Sequence, residues 1–129
     1  MTESITRIAT AGAPAPAGHY AQGTAWRDLV FVSGQLAARP DGSHTADQPF
    51  AAQVRQALAS LLAILAEAGS GPEHILRVTA YIVGVENWPD FNRVYAEMLG
   101  EARPARTVVP VPELHHGYLV EIEATAVRG

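Results

Sequence analysis

The sequence predicts a single α+β domain in which two helices cover one face of a sheet. Strand-like and helix-like segments follow one another as strand, helix, strand, helix, strand, strand. The longer helical segment carries one apolar stripe, which needs an apolar surface to lie on. The final strand alternates a wholly apolar face with a mixed one, which marks one side of the sheet as the buried side. A chain of 129 residues is long enough for one core and hardly for two. The domain is therefore read as residues 1–129, with 1–17 as an extended N-terminal arm.

Within the arm, AGAPAPAG (11–18) holds too much proline and glycine for a helix. WRDLVFVSG (26–34) reads as a strand ending at Gly34, and AARPDGSH (37–44) as a turn in which proline fixes one dihedral and glycine accepts the positive one. DQPFAAQVRQALASLLAILAEAG (47–69) is the strongest helix, with Asp47 as expected cap, Pro49 in the first turn and Gly69 at the stop. Its stripe is Phe50, Val54, Ala57, Leu58, Leu61 and Leu65. HILRVTAYIVG (74–84) is a strand with apolar residues on both faces. NWPDFNRVYAEMLG (87–100) is the second helix, capped by Asn87 and ended by Gly100, and two further strands are expected near 106–111 and 118–127.

In the last strand Val120, Ile122, Ala124 and Ala126 form the face expected beneath the helices. Leu119, Glu121, Glu123, Thr125 and Val127 form the other, neither a solvated face nor a dry core. With the two-sided strand at 78–83, this predicts a second sheet face packed against a neighbouring subunit. A charged fraction of only 17% against 48% hydrophobic residues points the same way.

Composition excludes several classes. Net charge is −4 and the nine basic residues are all arginine, scattered without a stripe, so nucleic acid is a poor partner. The chain has no cysteine, which rules out disulfides and thiolate chemistry. The N-terminus lacks a basic leader with an apolar core, and no uninterrupted apolar run approaches about 18 residues, so the expectation is a cytoplasmic protein without a membrane span.

Two charges stand inside strand-like runs. Arg106 reads either as a surface or salt-bridging arginine or, because it follows Pro104-Ala105 and opens a β-branched run, as a rigidly held group suited to bidentate capture of a carboxylate. Glu121, in a half-buried face, reads either as an ion-pair partner or as a desolvated carboxylate able to activate water. Tyr20, Ser33 and Asn92 have ordinary structural readings as an arm aromatic, a strand end and a helix-surface amide. His115-His116 reads as a structural or loop pair and not as a metal site, since neighbours on a strand point to opposite sides and no third ligand stands at useful spacing. GSG (69–71) follows a helix, the wrong order for an anion-binding loop.

Taken together, GHYAQG (18–23), VFVSGQL (30–36), FNRVYAEML (91–99), PARTVV (104–109) and VEIEATAV (120–127) resemble, in order and spacing, the RidA/YjgF family of imine/enamine deaminases. The resemblance runs from about Pro14 to Arg128. It implies a chorismate-mutase-like fold with a mixed β-sheet, a homotrimer with active sites between subunits, and cofactor-free, metal-free hydrolysis of 2-imino or 2-aminoacrylate-type acids to 2-keto acids and ammonia. By the same resemblance Arg106 grips the substrate carboxylate, Glu121 activates water and Tyr20 closes the pocket. Ser33 and Gly34 lie beside the imine, with the Gly34 carbonyl accepting from its nitrogen, and Asn92 matches an asparagine on the second helix.

Two positions depart from the family pattern. Val108 stands where many members have cysteine, although the backbone there can still contact a carboxylate, and His19 replaces the usual proline before the pocket tyrosine. His19, with His115, His116 and Tyr118 if their loop folds over the cleft, makes a larger or more polar substrate an expectation, in a catabolic or biosynthetic pathway. The competing readings are a non-catalytic module that senses small carboxylates and the endoribonuclease activity attached to some relatives. Retention of both Arg106 and Glu121 weighs against the first, the acidic balance against the second.

Overall fold

Arg27 explains the first difference between sequence and structure. In the computed structural model, which describes residues 4–129, Arg27 has a φ of 53° and turns the chain between two strands, β2 (Gly23–Trp26) and β3 (Leu29–Gln35). The segment read as one strand at 26–34 is thus the turn and second arm of a hairpin. No Asn-Gly or Asp-Gly signal marked it. The arm is not wholly extended coil either: Thr6–Ile8 forms β1, antiparallel to β2. Residues 1–3 of the expected arm lie outside the described residues.

The remaining elements are α1 (Phe50–Glu67), β4 (Ile75–Val83), α2 (Trp88–Leu99), β5 (Ala105–Val111) and β6 (Val120–Val127). The six strands form one sheet in the order β1-β2-β3-β6-β4-β5, with β4 and β5 parallel and the other pairs antiparallel. This is the expected mixed sheet. Helix α1 begins at Phe50, later than read: Pro49 precedes it and no side chain caps it, so Asp47 does not. Asn87 does not cap α2 either, because its Nδ2 donates to the Val83 carbonyl. Gly100 ends α2 with a φ of 62°, where a side chain would be strained.

The whole predicted stripe of α1 is buried, joined by Ile64. It lies on β3 and β6, in a core that joins Val30, Val32, Val120, Ile122 and Ala126 to Val78, Ala80 and Ile82 of β4, and each buried valine, leucine or isoleucine side chain contributes roughly 1.5–3 kcal/mol by leaving water. Helix α1 is long and apolar enough to meet the length and hydropathy criterion for a membrane span, with 18 residues at a mean hydropathy of 1.2. Here its apolar side is accounted for by the sheet.

Both helices sit on the face built from Val78, Ala124 and their neighbours. The opposite face, where Phe31 pairs with Thr125 and Tyr81 with Glu121, stays partly open, and Phe31 is 45% exposed.

Candidate active site

Strand β3 does not run straight past β6. Val32 pairs with Ala124 but Gln35 with Ile122, so Ser33 and Gly34 form a bulge that re-aims the backbone at the end of the sheet. The bulge brings Gly34 against the Glu121 side chain: a Cβ at position 34 would stand 2.9 Å from Glu121 Oε2. Only a glycine leaves the carboxylate where it is.

Glu121 and Gly34 line a cavity of about 590 Å³, within the usual size range of small-molecule sites. One wall is the arm, with Pro14, Gly18 and Tyr20; another is the segment that carries His44; a third is the short turn His115–Gly117 followed by Tyr118. Glu121 is half-buried and has no hydrogen-bond partner among the described residues. Burial, then the neighbouring Glu123 charge, raises its pKa above the ordinary carboxylate value, with His115 opposing them weakly. Such a group is suited to taking a proton from water.

Buried amides that the sequence did not single out hold these walls. Gln22 accepts from Thr10 N–H at 2.7 Å and its Nε2 donates to the carbonyls of Thr10, Ala13 and Pro14, which fixes the arm. Gln53, fully buried in α1, donates to Ala46 and Gln48 and accepts from Leu119 N–H, tying the loop before α1 to the start of β6. Ser33 Oγ donates to the Ala21 carbonyl at 2.7 Å, so this hydroxyl fastens the arm to the bulge. Tyr20 is half-exposed at the rim, its hydroxyl accepting weakly from Ala17 N–H at 3.4 Å.

The other sequence-predicted residues do not line this cavity within one protomer. Register pairs Arg106 with Val78, so Arg106 is on the helix side of the sheet while Glu121, opposite Tyr81, is on the open side. Arg106 lies over the rings of Tyr95 and Phe91, 5.1 and 5.6 Å from their centroids, at the β5 edge of the sheet. It makes no ion pair or hydrogen bond among the described residues. Val108 is buried on the same side, Asn92 is exposed on α2, and His19 is exposed on the arm and absent from the lining. The single chain therefore keeps its two candidate charges apart: a carboxylate in a cavity and, at the sheet edge, a guanidinium with no ion pair among the described residues.

Fold and cavity together define a small mixed-sheet α+β protein with a concave pocket at the end of its sheet. Comparison with known proteins narrows it. The family model described as endoribonuclease L-PSP matches residues 10–128, and the chain belongs to that family, the YjgF/RidA family. It is similar to the bovine 2-iminobutanoate/2-iminopropanoate deaminase, 33% identical over 122 residues that cover 95% of this chain and 89% of that one. The solved structure of the YjgF gene product of E. coli superposes with a TM-score of 0.90 at 34% identity, covering 96% of this chain and 99% of the other. TdcF of E. coli with bound serine gives a TM-score of 0.90 at 32% identity, with the same coverage.

Proposed function

We propose that the protein hydrolyses small 2-imino acids and their enamine tautomers to 2-oxo acids and ammonia, in a site that Arg106 of a second copy completes. The observation that carries this reading is Glu121: a half-buried carboxylate without a partner, its pKa raised, packed on a glycine at the wall of a small-molecule cavity. The deaminase name of the bovine relative and the amino acid bound to TdcF support the substrate class. No arginine lines the cavity of one protomer, and a carboxylate ligand calls for one. The unpaired Arg106 at the sheet edge and the partly open second face fit a closed assembly in which each edge supplies its neighbour's cavity. A homotrimer is the assembly proposed.

The chemistry needs little beyond positioning. With its carboxylate on the arginine, the iminium carbon is presented to a water beside Glu121. Water adds to that carbon as Glu121 takes its proton, giving a carbinolamine. Glu121 returns the proton to nitrogen, the C–N bond breaks, and the remaining hydroxyl proton passes through Glu121 to the departing ammonia, which leaves the carboxylate ionised again. The balance is iminium plus water to 2-oxo acid plus ammonium, with no electron transfer. An endoribonuclease reading is disfavoured by a net charge of −4 and by arginines scattered along the chain without a basic stripe.

The test generates 2-aminoacrylate with a serine dehydratase and traps surviving imine with semicarbazide. Wild type removes imine before trapping; Arg106→Ala and Glu121→Ala do not. Co-expression of the two variants restores about a quarter of the activity if the halves come from different copies, because half of the copies supply each group. No restoration refutes the shared site, and a 13.7 kDa species by light scattering refutes the assembly.

A further inference from the structure

The reaction above leaves one wall of the cavity without a task. His44, His115 and His116 converge there from two loops: the His115 and His116 rings are 3.7 Å apart by centroid, and His116 is 4.7 Å from His44. The turn is unusual for a side-chain-bearing residue. His116 has a φ of 61° and is followed by Gly117 at 76°, and this left-handed step brings two sequence neighbours to the same wall.

Tyr118 organises the cluster from beneath. It is fully buried, accepts at its hydroxyl oxygen from Thr45 N–H at 3.3 Å, and lies 2.6 Å from His44 Nδ1. Its own proton has no other acceptor among the described residues, so it donates to Nδ1 and the neutral ring carries its proton on Nε2. His44 is thereby a donor whether neutral or protonated. The titratable groups around the wall are few. Arg39 and Asp41 share the loop of His44, Glu113 precedes the turn, Tyr20 is on the arm and Glu121 is on β6. Asp41 is occupied by Ser43. Burial, then its two histidine neighbours, lowers the pKa of His116, a cost that an anion among the rings would reverse.

Size points the same way. An imino acid of three or four carbons fills about four waters' worth of volume, ~120 Å³, against a cavity of about 590 Å³. We propose that His44, His115 and His116 bind a second carboxylate, so that the site favours 2-imino dicarboxylic acids over short monocarboxylic ones. This rests on the hydrolase reading for its chemistry, but the distal anion site stands or falls by binding alone.

Titration calorimetry with 2-oxoglutarate and 2-oxobutanoate, at pH 6.0 and 8.0, is the experiment. At pH 6.0 the dicarboxylate binds at least tenfold tighter, and the preference shrinks at pH 8.0 as histidine charge is lost. The double variant His44→Gln/His116→Gln loses that tenfold and keeps its affinity for 2-oxobutanoate. Tyr118→Phe, which keeps the ring but removes the proton that sets His44, loses part of it. Equal affinity for the two acids, a preference that ignores pH, or a double variant that weakens both acids alike overturns the proposal. So does tighter binding of 2-oxo-3-phenylpropanoate, which would make the wall an aromatic shelf. Hydrolysis is read separately, with iminosuccinate released by an L-aspartate oxidase. Dicarboxylate preference without hydrolysis upholds the anion site and refutes the deaminase reading; hydrolysis without preference does the reverse.

Discussion

Glu121 and Ile122 are neighbours on β6 and belong to different worlds. Ile122 points under the helices into the fully buried layer with Val120 and Ala80. Glu121 points to the open face, half-buried beside Gly34, with its charge unpaired. One strand thus builds the core with its even-numbered residues and places the cavity's carboxylate with an odd one. The difference teaches that the scaffold fixes the carboxylate through the packing of its neighbour: a rigid apolar side holds the polar side still.

The contrast can be broken from either side. The largest effect expected is Glu121→Gln, a loss of about 10²- to 10⁴-fold in kcat in the imine-trapping assay. The same variant gains thermal stability at neutral pH. A carboxylate whose folded-state pKa is raised is a burden to the fold above that pKa, and the burden fades as pH falls towards the unfolded value. Melting curves of wild type and variant should therefore differ at pH 7 and converge in acid. Wild-type activity falls as Glu121 is protonated, with an acid limb above the ordinary glutamate pKa.

Ile122→Ala, one residue away, does the opposite. Denaturant unfolding should show a loss of about 2–5 kcal/mol, from a fully buried site that cannot collapse. Gly34→Ala probes the contact between the two worlds. The new Cβ pushes the Glu121 carboxylate, a movable group, so kcat drops about 10- to 100-fold with under about 1 kcal/mol of destabilisation. The smallest effect sharpens the buried side. Tyr95 OH is buried without a hydrogen-bond partner among the described residues, and Tyr95→Phe should raise stability by about 1 kcal/mol, read as a melting point higher by about 3 °C.

Much of the helix-covered side was legible. Spacing alone picked out the buried stripe of α1, and alternation picked out the buried residues of β6, because burial imposes the 3.6 and 2 periods directly. The caps were only partly legible: Asn87 does stand at the N-cap position of α2, but its amide is drawn to the Val83 carbonyl, and Pro49 intervenes between Asp47 and the start of α1. The β2–β3 hairpin was missed since Arg27 takes a left-handed φ without a glycine or asparagine to announce it. In the site, Glu121, Gly34 and Tyr20 were named from their motifs and do share a cavity. That Arg106 lies on the other side of the sheet follows from the parallel pairing of β4 and β5, which no local pattern encodes. Gln22, Gln53 and His44 were invisible for a related reason: a glutamine or histidine reads as surface until its partners, distant in sequence, are known.

Gln22 has a consequence of its own. One amide, saturated by four hydrogen bonds to residues 10–14, is the rivet between the N-terminal lip of the cleft and the body of the protein. The lip carries no core side chain beyond Ala13. Its shape can therefore drift, residue by residue, to suit new guests while the rivet stays and the apolar packing between sheet and helices behind it never feels the change.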